Sequence, residues 1–540
     1  MSVASELLRL GKTEDVWQKY CGFLDLSPEE FMDTQHHLLL EQLELLNECE
    51  LGRKLMKGVR PTSVEEFCHR VPLTTYEDYT PYLLKKREDV LPETPLFWQR
   101  TSGRSAEYRF KWVPVTERLY SEIGVYLVTW AIFSSCRERG DILLRDHDKL
   151  LYGMAPPPYP TGALARALHR ELVLDVFPPM GKAERMAFQK RMDQGVALAV
   201  SEGMDFVFAL SSVLVSVGDQ ISQGMSRANI SAYFSNPRAL PRVARGLLKS
   251  KLAGRPLLPR DLWKLKGLAT TGTDSQVYRE KIAYYWGRHA LETYSCAEAG
   301  MIAMQTWDYE DMTFVPTIVF LEFIPEEEHL KLKHDPSYRP KTVLLNQVEA
   351  GHRYELVFTS LQGGPFIRYR IGDMIKITAL RNERLNINLP QMAVDARVDG
   401  IIDISGFARL TEKVISEAIS KSGLSYEGWT ARKEVWDDGP VLHVYIELKD
   451  HHTPPSDARY AIHRSLKELD HDYAALEDML HFRPLELTPL PEGTFQRYML
   501  QQQAAGDDSA QLKPPQLDAS DEVISKLLAS AALEKEGRSL

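Results

Sequence analysis

Residues 262–273, LWKLKGLATTGT, decide the fold class of this chain. An apolar run that ends in a tight polar turn is typical of a buried strand at the carboxyl edge of an open α/β sheet, where such sheets bind ligands. Similar apolar runs precede it at 150–154, 172–176 and 206–210, with helical or Pro/Gly-rich segments between them. This alternation predicts an α/β fold with a largely parallel sheet.

Three strand-like segments follow, TFVPTIVFLEFIP (313–325), RYELVFTS (353–360) and FIRYRIGDMIKI (366–377). They are rich in β-branched and aromatic residues, which favour strands. Their hairpin-like succession predicts a β-rich subdomain that ends a large N-terminal lobe with mixed sheets. Upstream, the pattern from residue 27 to residue 57 predicts one long amphipathic helix.

Near residues 399 and 400 the predicted helices and strands begin to alternate at shorter intervals, and we take this point as the domain boundary. Beyond it we predict helices over 411–422 and 456–469 and strands over 441–448 and 481–487. The chain is therefore expected to consist of a large domain, residues 1–399, and a small α+β C-terminal domain, residues 400–540. Residues 501–520 are rich in Gln, Ala, Pro and Asp and predict a loop before a short last helix.

Composition excludes several function classes. The 540 residues include 75 acidic and 65 basic side chains, a formal net charge of −10, which argues against a nucleic-acid-binding protein. Five scattered cysteines without a C-x-x-C pair argue against a disulfide framework or a zinc ribbon and for a reducing compartment. The N-terminus lacks a signal-peptide pattern, and Glu202 and Asp205 interrupt the most apolar stretch, so we expect a cytoplasmic protein that does not span a membrane.

Motifs of other enzyme classes are missing from the sequence. It contains no H-E-x-x-H, no G-x-S-x-G elbow, no G-x-x-x-x-G-K-[ST] loop and no G-x-G-x-x-G fingerprint. These absences argue against a built-in zinc site and against serine hydrolases, P-loop nucleotide hydrolases and dinucleotide-dependent enzymes.

The segment TSGRS, residues 101–105, is the first candidate site. Small hydroxyl residues beside a glycine can present backbone N–H groups and hydroxyls to a phosphate, and Lys111 follows closely as a cation. The alternative is a simple polar turn. A second tight turn, Thr271-Gly272-Thr273, ends the strand at 264–270 and falls where α/β sheets bind ligands.

Two carboxylates stand out beside aromatic or glycine residues. Tyr294 can cover a purine face, and Glu298, four positions later, can hold Mg²⁺; the alternative is a core tyrosine and a solvated glutamate. Asp373 follows a glycine in RYRIGD (368–373), where it is suited to accept hydrogen bonds from ribose hydroxyls. The flanking arginines, Arg370 among them, can meet phosphates bidentately, or they can be surface arginines beside a turn.

Two further residues are candidates because of their place in the chain. Arg397, in RVDG, lies where the composition changes and marks a candidate hinge. Lys513, in QLKPP, lies in a loop that could swing over a phosphate, although a lone lysine in a loop is usually solvated.

Taken in order, VPLTTYEDYTPYL, TSGRS, TTGTDSQVY, Tyr294 to Glu298, RYRIGD, RVDG and QLKPP resemble the Gretchen Hagen family of acyl acid amido synthetases. That family belongs to the adenylate-forming superfamily of acyl-CoA ligases, peptide-synthetase adenylation domains and luciferases. The resemblance spans nearly the whole chain. It implies ATP-dependent activation of a small carboxylic acid as an acyl adenylate, then attack by an amine or amino acid to give an amide, with a small lobe that moves between the two steps.

The resemblance also implies roles for individual residues. Ser102, Gly103 and Ser105 would contact ATP phosphates, and Thr273 and Tyr294 would line the adenine pocket. Glu298 would hold Mg²⁺, and Asp373 would bind ribose. Arg397 would lie near the hinge and the nucleotide, and Lys513 would reach the reacting carboxylate and the α-phosphate. With Arg370, Glu298 and Lys513 form our catalytic set. Mg²⁺ and cations offset the repulsion between two anions when a carboxylate attacks a phosphate.

The sequence also departs from the family pattern. Arg104, Ala106 and Glu107 occupy a loop that is usually rich in small residues, and Ala297 stands where a serine commonly precedes the glutamate. Two alternatives therefore stay open beside the amido synthetase: an acid–thiol ligase that makes acyl-CoA, and a non-catalytic homologue that binds nucleotide or acyl ligand. The sequence identifies neither the acid nor the oligomeric state.

Overall fold

A computed structural model describes most of the chain. The described residues are 2–100, 111–154, 159–183, 186, 188–223, 237–271, 275–335, 337–397, 401–405, 408–436, 439–449, 453–480, 483–504 and 514–537. They divide into two compact units, one up to residue 397 and one from residue 401 onward.

The strands of the first unit run in chain order as follows: β1 (Phe97–Arg100), β2 (Trp112–Val115), β3 (Asp148–Gly153), β4 (Leu174–Phe177), β5 (Phe206–Leu210), β6 (Gly267–Thr271), β7 (Leu291–Cys296), β8 (Gly300–Gln305), β9 (Met312–Phe314), β10 (Val319–Pro325), β11 (Arg353–Ser360), β12 (Tyr369–Ala379) and β13 (Gln391–Arg397). Its α-helices span Val3–Arg9, Thr13–Cys21, Pro28–Glu48, Glu50–Leu55, Val64–Arg70, Tyr76–Leu83, Glu117–Ser135, Pro160–Glu171, Met180–Ala183, Phe188–Glu202, Ser211–Ser222, Leu240–Leu252, Pro259–Leu262, Ser275–Trp286 and Glu326–His334. Short 3₁₀ turns lie at Gly22–Asp25, Glu88–Val90 and Leu345–Gln347.

An 11-stranded mixed sheet forms the centre of the first unit, in the order β10-β11-β12-β13-β9-β8-β7-β6-β5-β3-β4. Strands β4, β3, β5, β6 and β7 are parallel, and the pairs from β7–β8 onward are antiparallel. This confirms the α/β class with a mixed sheet. The β-rich part is not a separate layer, however, because the tight β7–β8 hairpin reverses the chain and continues the same sheet.

The helix predicted over residues 27–57 is interrupted. Ser27 caps its first part with a capping box, and Pro28–Glu48 then ends at Cys49, whose extended backbone starts the next helix, Glu50–Leu55. A side chain at Gly52 would put its Cβ 2.1 Å from the Leu46 carbonyl oxygen, so the two helices approach closely at this bend. The apolar periodicity continues through the bend, which is why the pattern predicted a single helix.

Helix Pro28–Glu48 also covers the edge of the large sheet. Buried Gln35 donates from Nε2 to the carbonyls of Pro316 (3.1 Å) and Val319 (2.6 Å), and its Oε1 accepts from the Leu321 N–H at 3.1 Å. Edge strands expose unpaired backbone N–H and C=O groups. The Gln35 amide therefore supplies hydrogen-bond partners to backbone groups of the edge strand β10.

The second unit has an α+β fold, as predicted. Its strands are β14 (Ile401–Ile404), β15 (Ala408–Thr411), β16 (Tyr426–Trp436), β17 (Gly439–Leu448) and β18 (Leu485–Leu490), and its helices are Glu412–Lys421, Pro455–Leu469, His471–Leu480, Thr494–Ala504 and Asp521–Gly537. Strands β16 and β17 pair antiparallel, and β18 joins β17 in parallel. Leu527 of the last helix belongs to a buried cluster that includes Tyr445 and Tyr498.

None of the helices in the described ranges is long and apolar enough to cross a bilayer. The stretch over 196–218 supplies the end of one helix, the buried strand β5 and the start of another helix.

Candidate active site

The β7–β8 hairpin and the start of β12 bring the candidate residues together. Tyr294 lies near the end of β7, and Glu298 lies in the turn between β7 and β8. Strand β12 supplies Tyr369, Arg370 and Asp373. Since β7 is the last parallel strand of the sheet, this site lies where parallel pairing gives way to antiparallel pairing.

Lys111, Tyr369 and Glu298 form a buried polar cluster. The Tyr369 hydroxyl donates to Glu298 Oε1 at 3.1 Å, and Lys111 Nζ lies 3.2 Å from the Tyr369 oxygen and 3.6 Å from Glu298 Oε1. The Lys111 side chain is 16% exposed and the Glu298 side chain 4%. Burial and the Glu298 charge raise the pKa of Tyr369 well above its usual value, so its hydroxyl stays a donor to the carboxylate.

Aromatic rings and a backbone contact fix this cluster. Lys111 Nζ lies 5.1 Å from the Tyr76 ring centroid and 5.9 Å from that of Tyr369, within cation–π distance. Gln99 of β1 donates from Nε2 to the Ala297 carbonyl at 2.7 Å, which anchors the turn that carries Glu298. The cation therefore faces the carboxylate from a largely desolvated position.

Tyr294 and Asp373 form a second contact next to this cluster. The Tyr294 hydroxyl donates to Asp373 Oδ2 at 2.7 Å, and both residues are at least nine-tenths buried. On the neighbouring strand, Thr271 Oγ1 lies 3.2 Å from Ser295 Oγ, so the last residue of β6 contacts the residue after Tyr294. The structure thus joins a predicted adenine-pocket residue to the predicted ribose-binding residue.

The TTYEDYTPYL segment holds the start of β12. The Thr74 N–H donates to the Arg368 carbonyl at 3.0 Å, and the Arg370 N–H donates to the Thr74 carbonyl at 2.9 Å. The Tyr79 hydroxyl accepts from the Ile367 N–H at 2.8 Å, and its ring meets that of Tyr369 edge-on. Two of the segments that carry the family resemblance, TTYEDYTPYL and RYRIGD, are therefore in direct contact.

Arg368 is not a phosphate-facing or surface arginine. Its side chain is 5% exposed. It forms three hydrogen bonds with Glu322, from Nε to Oε2 at 3.0 Å, from Nε to Oε1 at 3.2 Å and from Nη2 to Oε1 at 2.7 Å, and it donates from Nη1 to the Val71 carbonyl. The backbone of Arg368 is left-handed, with φ of 43°. A buried, paired guanidinium in this conformation stabilises the entry into β12.

Arg370, which we assigned to catalysis, is held by Glu355. Its Nε and Nη2 donate to the two carboxylate oxygens at 2.8 and 2.9 Å, and His329 Nδ1 lies 2.8 Å from Oε2. Burial opposes ionisation of Glu355, but the hydrogen bonds from His329 and Arg370 lower its pKa overall. Arg370 is 22% exposed in this pair, and its role in catalysis stays a prediction.

Several predicted residues lie outside the described parts of the chain: Ser102, Gly103, Ser105, Thr273 and Lys513. Strands β1 and β2, which end and begin on either side of residues 101–110, pair antiparallel. The backbone of Arg397 lies in β13 with its Cα opposite that of Asp373. The predicted roles of all these residues stay predictions.

The sequence alone did not identify Tyr369 as a site residue. It identified Lys111 only as a cation that follows the TSGRS segment. The tyrosine lies inside the quoted RYRIGD motif, but nothing local shows that its hydroxyl reaches Glu298 across 71 positions. Within the described ranges, no three His, Cys, Asp or Glu side chains form a group that could hold a metal ion.

Three family models match the chain along its length: the GH3 family N-terminal domain at residues 22–145, the central domain at 312–394 and the C-terminal domain at 410–522. The chain belongs to the GH3 family. The central-domain match contains β12 with Tyr369 and Asp373, and the N-terminal match contains Lys111 and the TTYEDYTPYL segment.

Characterised relatives share part of the chain. Indole-3-acetic acid-amido synthetase GH3.15 of Arabidopsis thaliana is 25% identical over 240 residues, which are 41% of this chain and 38% of that protein. Jasmonoyl–L-amino acid synthetase JAR6 of Nicotiana attenuata is 25% identical over 210 residues, 37% of this chain and 34% of that protein. The matched stretches thus span little more than a third of these relatives.

The fold is similar to that of a solved CoA ligase. A solved structure of 2-hydroxyisobutyryl-CoA ligase with its acyl-AMP and CoA overlays 86% of this chain and 92% of its own, with a TM-score of 0.53 and 16% identity. At this identity the likeness shows the fold alone.

Proposed function

We propose that this protein uses ATP to activate a small carboxylic acid as an acyl adenylate and then transfers the acyl group to an amine, such as an amino acid, to form an amide. The observation that carries the proposal is the buried Lys111–Tyr369–Glu298 cluster beside the Tyr294–Asp373 pair, in a chain of the GH3 family. Charge balance and orientation are what this chemistry requires of a protein.

Asp373 and Tyr294 would hold the nucleoside. An ionised carboxylate accepts hydrogen bonds from two vicinal hydroxyls, which suits a ribose, and Tyr294 already fixes one Asp373 oxygen at 2.7 Å. A neighbouring aromatic ring can cover the purine face. Because both groups are buried, their interactions with a nucleotide are screened little by water.

Glu298 fits Mg²⁺ by the chemistry of its donor atoms. Mg²⁺ in nucleotide enzymes takes one or two protein carboxylates and completes its shell with phosphate oxygens and water, so a single buried carboxylate is enough. When bound, the ion would neutralise charge on the phosphates. Tyr369 fixes Glu298 through a 3.1 Å hydrogen bond, and Lys111 adds a positive charge 3.6 Å from the same oxygen.

The first step forms one bond and breaks one. A carboxylate oxygen of the acid bonds to the α-phosphorus of ATP, and pyrophosphate leaves with the electron pair of the broken P–O bond. Lys111 would offset the repulsion between the two anions. In the second step the amine nitrogen attacks the acyl carbon, AMP leaves with the C–O electron pair, and the nitrogen loses a proton.

The other sequence-predicted residues complete the proposal. Ser102, Gly103 and Ser105 would contact the phosphates, and Thr273 would line the adenine pocket. Arg397 would approach the nucleotide from β13, and Lys513 would reach the reacting carboxylate as the C-terminal domain, residues 400–540, moves. We propose a cytoplasmic location for this activity.

Acid-dependent exchange of pyrophosphate into ATP tests the first step without any amine. We expect exchange with Mg²⁺ and at least one member of a panel of carboxylic acids, and its loss in Glu298→Gln. The matched control is Glu349→Gln, since Glu349 is 71% exposed and outside the cluster. Equal exchange in wild type and Glu298→Gln would overturn the site assignment.

An acyl-CoA ligase is the second candidate, because the structure shares its fold with a CoA ligase. After the active acid is known, amines, amino acids and CoA are offered separately, and the product mass identifies the acceptor. An acyl thioester with CoA and no amide with any amine would favour the ligase. ATP binding by calorimetry with no exchange for any acid would favour a non-catalytic homologue.

A further inference from the structure

A cleft opens at the carboxyl ends of β3 and β4, away from the candidate active site. It contains about 360 Å³ of space, part of which is open to solvent. Residues that line it include Tyr152, Arg166, Val176, Phe177, Met180 and Arg191. Most of this wall is apolar or aromatic, which is typical of a site for a small organic molecule.

Arg191 gives the cleft an unusual buried cation. The residue is 4% exposed, and its Nη2 donates to the Met154 carbonyl, whereas no described residue is a hydrogen-bond partner of its Nε. Among the described residues no carboxylate forms an ion pair with it, and the Phe188 ring lies 5.1 Å from its Cζ. Burial lowers the pKa of this guanidinium, although the nearby Tyr152 raises it.

A buried charge without a counter-charge is costly to a folded protein. Since Arg191 lines the cleft, an anion bound there beside its guanidinium would lower this cost and would be screened poorly by water. The guanidinium fork is suited to a planar carboxylate, and Arg166 is a second cation in the lining. The apolar wall would receive the rest of the molecule.

We propose that this cleft binds the carboxylate of a small, largely apolar organic acid through Arg191. In the sheet, β6 and β5 lie between β7 and β3, so three strand spacings of about 4.8 Å separate Tyr294 from the cleft by about 14 Å. A carboxylate at Arg191 is therefore not the one that reacts beside Glu298. Its source is either a separate acid or the distal carboxylate of a dicarboxylic substrate.

Calorimetric titration of the full chain with benzoate, at constant ionic strength and without ATP, tests the site. We expect benzoate to bind, its neutral isostere benzamide to bind at least tenfold more weakly, and Arg191→Gln to weaken benzoate at least tenfold. Arg238→Gln is the matched control, because Arg238 is 75% exposed and pairs with Glu202. Equal benzoate affinity in wild type and Arg191→Gln, or no binding by wild type, would overturn the proposal.

Two readouts separate a binding role from a purely structural one. Arg191→Gln should keep or raise the melting temperature, since it removes an uncompensated buried charge. If this variant fails to fold, Ala165→Leu is the variant that tests the site. It fills the cleft without changing charge and should also weaken benzoate binding. Unchanged benzoate affinity in Ala165→Leu would place the bound acid elsewhere and overturn the site.

The source of the carboxylate is then assigned by pyrophosphate exchange. If the site holds the distal group of the substrate, Arg191→Gln raises KM for long dicarboxylic acids and leaves KM for monocarboxylic acids unchanged. If it holds a separate acid, benzoate changes the exchange rate of wild type at saturating substrate but not that of Arg191→Gln. The binding titration needs no ATP, so it stands or falls independently of the proposed function.

Discussion

Tyr294 and Asp373 are 79 positions apart in the chain, yet the tyrosine hydroxyl donates to Asp373 Oδ2 at 2.7 Å. The first residue ends the parallel half of the sheet, and the second lies on an antiparallel strand. Their hydrogen bond fixes the direction of a buried carboxylate before any ligand arrives. Preorganisation of this kind lowers the cost of orienting a ligand.

Asp373→Asn should reduce nucleotide binding without unfolding the protein. The amide is the same size and can still accept from Tyr294, but it loses the charge that would accept from two ribose hydroxyls. Hydrogen bonds to charged groups contribute about 1.5–3 kcal/mol, so we expect kcat/KM for ATP in pyrophosphate exchange to fall by about ten- to a hundredfold. A variant with wild-type kcat/KM would remove Asp373 from the site.

Tyr294→Phe should have a smaller effect of the same kind. It deletes one hydrogen bond to Asp373, so KM for ATP should rise by about fivefold. Tyr473→Phe is a control for loss of a buried hydroxyl, since that tyrosine bonds to His463 in the second unit. A larger effect on KM in the control than in Tyr294→Phe would contradict the assignment.

Lys111→Gln should slow the adenylation step more than it weakens binding. A positioned cation that meets charge developed in the transition state is worth about a hundredfold in rate, so kcat of exchange should fall by about that factor. Lys54→Gln is a suitable control, because Lys54 is 55% exposed. A change in KM for ATP alone, with kcat unchanged, would show that Lys111 only binds.

Glu322→Gln should destabilise the first unit strongly. It leaves the Arg368 guanidinium, 5% exposed, without its counter-charge, and such losses cost about 3–5 kcal/mol. The double variant Glu322→Leu/Arg368→Met should recover part of this loss, since neither charge is then buried. Chemical denaturation followed by fluorescence measures both; an unchanged midpoint in Glu322→Gln would disprove the structural role of the pair.

Glu434 of the second unit should make stability depend on pH. Burial opposes its ionisation, but hydrogen bonds from His443, Tyr445 and Arg432 lower its pKa to about 2. Because the folded pKa lies below the unfolded value of about 4.3, the stabilisation is fully present above that value and is lost as the pH falls towards 2. The difference in unfolding free energy between wild type and Glu434→Gln should therefore shrink from pH 5 to pH 2.5. A difference that stays constant over this range would contradict the assignment.

The sequence was sufficient to predict the fold class, because apolar runs that alternate with helical segments are local patterns. It also predicted helix 412–421 to within a residue at each end. It did not predict that Arg368 is buried, because the charge that compensates it, Glu322, lies 46 positions away on another strand. The bend at Cys49 was missed because the apolar periodicity continues through it.

The candidate site was predictable only in part. Tyr294, Glu298 and Asp373 were chosen from side-chain chemistry and from the family resemblance, and the structure brings them together. Lys111 and Tyr369 join Glu298 through contacts between segments far apart in the chain, and a single sequence does not reveal such pairings. The pairing of Arg370 with Glu355 depends on the register between β11 and β12, which a single sequence does not reveal either.

The hydrogen bond between Thr74 and Ile367 also has a consequence for folding during protein synthesis. Thr74 Oγ1 donates to the Ile367 carbonyl 293 positions later. At a synthesis rate of about 5–20 residues per second, the N-terminal segment waits about 15–60 seconds for its partner strand. During that time the apolar faces around Tyr79 are without their final neighbours, so chaperones that shield nascent chains should raise the yield of folded protein.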